Sequence, residues 1–275
     1  MTKILSGNRI KKVGIKFKQI VRDKMSDLKK LNLPEDFPYA YETHLHTNQA
    51  SKCARNTGAE MARACKEVGY TGIIVTDHFV HGNTCVDRSL PWSEWVEGFC
   101  KGYEDAKCEG DKIGLQVFFG WEACYNATEF LINGLSKEWL LAHPEIRDCT
   151  IAEQFDLVHK DGGMIVHCHP YRVEPYIPEV RLFPDLIDAV ETVNATHSCV
   201  LSQSHNNPEW DVLAEAYAKE HDKPRTSGSD IHSVNLIYGG LAFKRKLEDS
   251  RDYCKAILNR EPVVLLSGNE TAGQP

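Results

Sequence analysis

An α/β fold built on a parallel sheet, open or closed, is predicted by three observations. Short apolar runs of strand length alternate with amphipathic helical stretches about six to eight times. Some runs have no polar face, as in strands covered on both sides. Capping and turn residues separate the two kinds of segment at βαβ spacing. With 275 residues and a hydrophobic fraction of 42%, the chain can build one large domain with a sizeable core.

Ahead of this pattern, residues 8–30 place Ile10, Val13, Phe17, Ile20, Val21, Met25 and Leu28 three or four apart, the period of an amphipathic helix. Residues 1–30 carry a charge of +8, against −15 for the remainder. The helix reads as one that docks on the domain or on a partner subunit, with membrane-surface or nucleic-acid contact as the alternative. A proline-punctuated linker follows, which divides the chain into an N-terminal segment (1–36), a main domain (37–268) and a tail (269–275).

The first core strand, from Tyr39, ends in His44-Leu45-His46. Side chains alternate with period two along a strand, so the two histidines share a face. Thr57 and Glu60 form a capping box for a helix through Met61, Ala64, Cys65 and Val68. The wholly apolar strand 72–76 ends in Asp77-His78. A helix within 93–109 carries Trp95, Phe99, Tyr103 and Ala106, and the strand 115–122 ends at Glu122. Residues 128–135 read as another strand. A second capping box, Thr150 and Glu153, opens a helix that closes at Gly162-Gly163. The strand 164–166 then runs into His167-Cys168-His169-Pro170. The strand 187–193, a helix from Pro208, the strand end bearing Asp230 and His232, a helix at 248–258 and the strand 263–266 complete the domain.

Eight metal-type side chains thus fall at or just past strand C-termini: His44, His46, His78, Glu122, His167, His169, Asp230 and His232. In a βα barrel those ends converge on one face, where active sites form. His143, His159 and His221 lie on or near helices and read as metal-free. A mixed histidine and carboxylate set suits zinc, manganese or iron. Eight donors exceed one tetrahedral ion and suit two or three divalent ions with a bridging carboxylate. Such centres activate a water for displacement at phosphorus without a Ser or Cys nucleophile. Cys168, between two histidines, needs no nucleophilic role to explain its place.

Composition narrows the function further. No run of 18 apolar residues reads as a membrane span, and no secretory signal is read at the N-terminus. The ten cysteines form no C-x-x-C pair and read as reduced thiols of a cytoplasmic protein. The acidic body does not favour long nucleic acid as substrate. Oligomeric state is not legible.

The stretches His44-Leu45-His46-Thr47, Thr76-Asp77-His78, Glu122, His169-Pro170 and Gly228-Ser229-Asp230-Ile231-His232 resemble, in order, the motifs of the PHP (polymerase and histidinol phosphatase) superfamily. The resemblance spans about residues 39–235. It implies a distorted (β/α)7 TIM-like barrel, to which the N-terminal amphipathic helix is extra, and a di- or trinuclear centre hydrolysing phosphate esters. It implies that His44, His46, Glu122 and Asp230 hold a first metal. Glu122 would bridge to a second with His169, and His78 and His232 would serve a third. Arg172 matches a place near the substrate, so Glu122, Asp230 and Arg172 are the candidate catalytic residues. Two positions depart from the family pattern. The His or Asp usual after the first motif is replaced by Ser51, Lys52 and Cys53. The histidine usual on the strand after the bridging glutamate is missing from 132–136. His167, Cys53 and His197 are the candidate substitutes.

The expected function is hydrolysis of a small phosphomonoester or short nucleotide through a metal-activated water. An exonuclease using the basic helix as a nucleic-acid handle, or a non-catalytic binding module, are the alternatives.

Overall fold

The computed structural model describes residues 30–202, 204–235 and 238–269. The expected basic helix over 8–30 lies outside them, apart from Lys30. The described chain begins with β1 (Tyr39–Leu45), α1 (Gly58–Val68), β2 (Gly72–Val75), α2 (Trp92–Phe99), α3 (Lys101–Ile113), β3 (Gln116–Tyr125) and β4 (Thr128–Asn133). It continues with α4 (Lys137–Ala142), α5 (Ile151–Lys160), β5 (Met164–His167), β6 (Ala189–Asn194), α6 (Ala195–Ser198) and α7 (Glu209–Glu220). β7 (Arg225–Gly228), β8 (Gly239–Phe243), α8 (Ser250–Leu258) and β9 (Val263–Ser267) end it. Both expected capping boxes are present, at Thr57/Glu60 and Thr150/Glu153.

The strands form one sheet in the order β7-β6-β5-β4-β3-β2-β1-β8-β9. β1, β2 and β3 pair in parallel, as do β5, β6 and β7. The sheet curls until the end of β1 meets the chain just past β7. There His46 N donates to Ile231 O, and Ile231 N donates to His44 O. The result is a nearly closed α/β barrel. It differs from a simple (β/α)7 scheme in having nine strands among the described residues, several of them antiparallel. β3 turns directly into β4 through Asn126 and Ala127, both at positive φ (49° and 63°), the backbone of a two-residue hairpin turn. β8 pairs antiparallel with both β1 and β9. It opens on Gly239-Gly240, a dipeptide that reads as a turn, and so the strand was not foreseen.

Alternation along the strands sorts the core. Tyr41, Ile74, Phe118, Leu131, Val166, Ala189 and Leu241 pack together inside the barrel. Their neighbours Ile73, Ile132, Ile165 and Val190 point outward under the helices. Phe79, Trp92, Trp95, Phe99 and Trp121 form a contiguous aromatic group in that outer layer. Each fully buried aromatic there contributes on the order of 2–3 kcal/mol. Trp92 and Trp95 are thereby packing residues.

Above the interior plug the same parity carries polar side chains into the barrel mouth. Phe118 is followed by Glu122 on β3, Val166 by Cys168 past β5, and Ala189 by Glu191 on β6. β1 breaks the rule. Ala40 and Leu45 share the outer cluster although they are five residues apart. The register with β2 slips between Glu42 and Leu45. This bulge turns His44 and His46 to the inside, where unbroken alternation from Tyr41 would turn them out.

Candidate metal centre

Three strands, β1, β3 and β7, deliver the first group of donors. His44 Nε2 lies 3.2 Å from Glu122 Oε1 and 3.6 Å from Asp230 Oδ1. His46 Nε2 lies 3.2 Å from Asp230 Oδ1 and 3.9 Å from Glu122 Oε2. Donors about 2.0–2.1 Å from a tetrahedral ion are separated by roughly 3.3–3.4 Å, so these atoms have the spacing of a coordination shell. Both Nε2 atoms, Glu122 Oε2 and His78 Nδ1 are buried without a hydrogen-bond partner. Unpartnered buried polar atoms are costly; His44 and His46 share one group of close donor atoms with Glu122, and His78 shares another with Glu122 and Glu129, groupings that fit divalent cations.

Glu122 is the hub. Its carboxylate also lies 3.2 Å from His169 Nε2, and it contacts His78 Nδ1. Beyond His169, at 3.7 Å, is Glu129 Oε2. On the other side, Cys53 Sγ is 3.1 Å from His78 Nε2 and hydrogen-bonds His232. The His232 ring stacks on that of His46 at 4.4 Å. The residues thus separate into three overlapping groups: His44, His46, Glu122 and Asp230; Glu122, His169 and Glu129; and Cys53, His78 and His232.

Charge follows position. Burial would raise the Glu122 and Asp230 carboxyls, yet His78, His169 and His44 hold Glu122 well below the usual range, and Arg172 and His44 do the same for Asp230. Burial and the Glu122 charge push Glu129 up to about 8. Burial opposes ionisation of the Cys53 thiol, but hydrogen bonds with His232 and His78 prevail and bring it to about 6.

Outer partners fix the rings. His44 Nδ1 is 3.0 Å from Glu191 Oε1. His46 Nδ1 is 3.3 Å from Ser51 Oγ, which donates to Asp77 Oδ1 at 2.7 Å. His232 Nδ1 faces the Asp230 carbonyl at 2.8 Å. Each arrangement leaves Nε2 free to coordinate. His169 and Asp230 sit at φ 32° and 55°, a conformation that costs a non-glycine residue energy and concentrates at functional sites. His169 N donates to Glu191 Oε2, and Asp230 Oδ2 pairs with Arg172 Nη1 at 2.6 Å, which hold the two in place.

The chain is similar in structure to a two-domain protein from Bacteroides vulgatus containing a predicted PHP-like metal-dependent phosphoesterase. The match has 13% identity and a TM-score of 0.61, and covers 86% of this chain and 68% of that one. The fold is PHP-like. PsfC from Pseudomonas syringae is also similar, with 18% identity and a TM-score of 0.55 over 85% of this chain and 95% of that one. No protein-family model and no curated protein matches the chain.

On this PHP-like barrel, seven of the eight expected donors gather at the mouth. His167 does not. It is the last residue of β5, and its parity with Ile165 points it outward. Its ring packs against Phe130 at 4.8 Å and near Tyr217, and burial lowers its pKa to about 3. His169 returns to the mouth because the chain turns there at positive φ. His197 is buried but faces Arg172 and Asp211, away from the donors. Cys53 is the one expected substitute found at the cluster. Arg172 is only 5% exposed, far from a surface arginine on a loop. His143 stacks on Trp139, His159 pairs with Asp188, and His221 lies beside Tyr217, all outside the cluster.

Glu129 and Glu191 were missed. Glu129 enters because the hairpin sets it opposite Cys124, on the face that carries Glu122. A two-residue turn at Asn126-Ala127 was its only signal, and it lacks the glycine that marks such turns. Glu191 is the only charged residue of β6 and lies between Val190 and Val193, which is itself a hint of a buried partner.

Proposed function

We propose that the chain is a metal-dependent phosphoesterase acting on a small phosphomonoester or short nucleotide. The convergence of unpartnered buried donors on Glu122 carries the reading. His44, His46, Glu122 and Asp230 would hold a first ion. Glu122, His169 and Glu129 would hold a second, with Glu129 in the place of the absent histidine. His78, His232 and Cys53 would hold a third, and the thiolate favours zinc or iron at that position over manganese.

Divalent ions here would supply an activated water and charge neutralisation for displacement at phosphorus. The protein's own groups orient and exclude. Glu122 and Asp230 stay ionised through their cationic neighbours. Glu191 and the Ser51–Asp77 pair keep the His44 and His46 rings facing inward. Arg172 keeps Nη2 unpartnered beside Asp230, a donor available to a phosphoryl oxygen. Residues 37–268 form the catalytic domain in this reading, and 1–36 an accessory segment. No helix of the described residues is long and apolar enough to cross a membrane. All ten cysteines are free, which suits a reducing compartment such as the cytoplasm.

Elemental analysis of the purified protein, followed by phosphate release from p-nitrophenyl phosphate with added Mn²⁺ or Zn²⁺, tests the proposal. Bound metal with release is the expected result. Metal-free protein that releases nothing with either ion would refute it.

A further inference from the structure

A buried chain of polar groups runs from α7 to the candidate metal centre. Asp211 on α7 accepts from the backbone N of Asn194, at 3.3 Å to each oxygen, and from the Ser198 hydroxyl. Its Oδ1 lies 2.8 Å from His197 Nδ1. Arg172 Nε donates to His197 Nε2 at 3.0 Å, and Arg172 Nη1 lies 2.6 Å from Asp230 Oδ2. Asp211, His197, Arg172 and Asp230 are all buried.

The hydrogen-bond logic has one solution. An arginine Nε always donates, so His197 Nε2 must offer its lone pair. The imidazole proton then sits on Nδ1 and goes to Asp211. Asp211 thereby selects the tautomer that can receive Arg172. With Nε held by His197 and Nη1 by Asp230, the planar guanidinium can neither rotate nor tilt. Nη2 alone remains, buried and without a partner. A guanidinium fixed on two sides presents its last nitrogen without further loss of freedom.

We propose that Asp211 and His197 are positioning residues that lock Arg172 so that its Nη2 receives an oxygen of an anionic, phosphoryl-type group at the centre. The proposal rests on the phosphoesterase reading for the identity of the anion, while the locked geometry rests on the hydrogen bonds alone. Neither residue touches the substrate or a metal position. A leucine at 197 fills the space but cannot accept from Arg172. A glutamine places an acceptor oxygen near the site of Nε2.

The test uses the metal-loaded full chain as wild type, His197→Leu and His197→Gln. Inorganic phosphate binding is measured by calorimetry, metal content by elemental analysis, and histidine tautomers by ¹⁵N NMR. The expected result is at least tenfold weaker phosphate binding in His197→Leu at unchanged metal content. His197→Gln should stay within a few-fold of wild type, and the wild-type His197 proton should be on Nδ1. Equal phosphate affinity in His197→Leu and wild type would overturn the proposal, even if the variant melted earlier, since a packing role alone predicts that. A wild-type His197 protonated on Nε2 would overturn it as well. A wild-type protein that keeps the Nδ1 tautomer and loads metal but binds no phosphate would overturn the anion assignment together with the phosphoesterase reading. Weak binding in His197→Leu alone would leave that reading intact.

Discussion

Replacing Glu122 with Gln removes one negative charge from the hub while keeping its size. In the structure the carboxylate has the Nε2 atoms of His44 and His169 at 3.2 Å and that of His46 at 3.9 Å, with His78 Nδ1 also in contact. An ion sharing those donors lies within about 4 Å of it. A unit charge pair at that separation is worth about 4 kcal/mol at an effective dielectric constant near 20. Breaking a buried charge pair by removing one partner costs about 3–5 kcal/mol by experience, in the same range. At about 1.4 kcal/mol per decade, metal affinity should fall by two to three and a half decades. Glu122→Gln should therefore emerge from gel filtration depleted in metal, and hydrolysis of p-nitrophenyl phosphate should be lost. Circular dichroism should show the fold retained, since an isosteric amide leaves the interior plug below it untouched. Wild-type metal content and turnover in this variant would sink the hub argument.

Three further outcomes are expected. Cys53→Ser should lose about one bound ion per chain, and the cobalt-loaded wild type should show a thiolate-to-cobalt charge-transfer band that the variant lacks. Gly102→Ala should cost about 1–3 kcal/mol in urea unfolding and weaken metal binding, because the added methyl would come 1.9 Å from Thr47 Oγ1 and displace the Thr47–Asp77–Ser51 contacts behind His46. The hydrogen bond to Asp188 raises the His159 pKa above its ordinary value of about 6.5. That stability is fully present below about pH 6.5 and is lost as pH rises through the raised folded-state value. His159→Gln should thus destabilise the protein in thermal melts at pH 5.5 by less than about 1 kcal/mol, since the pair is partly exposed, and the gap should close by pH 8.5.

The sequence carries the barrel clearly where local chemistry and tertiary position agree. Apolar runs ending in His44, His78 and Glu122 were readable because a strand end is both a change in hydropathy and a place in the fold, whereas Asp230 follows a polar stretch, 225–229, and was readable through the motif it shares with His232. Both capping boxes were readable because they close within four residues. Contributions that depend on how strands pair were not. Glu129 needs the antiparallel return of β4, and Glu191 needs a neighbour 147 positions away at His44. His167 failed because adjacency to His169 says nothing about the face a side chain takes. The helix expected as one within 93–109 is two, α2 and α3, meeting at Cys100, because both patterns share an apolar face and only the backbone distinguishes them.

The slip in β1 also determines how the centre could be lost. Below it the strand serves a dry, packed interior, and above it a charged mouth. Removing Thr43, the extra residue, would restore plain alternation and keep every facing: Tyr41 in, Glu42 out, His44 in, Leu45 out and His46 in. Straightening the register at unchanged length would do the opposite, turning Leu45 into the mouth and both histidines out of it while Tyr41 and everything beneath kept their places. The barrel therefore ties its candidate centre to the pairing of β1 and leaves its interior plug independent of it. A slip of one residue in that pairing would empty the mouth of both histidines with no substitution at any donor.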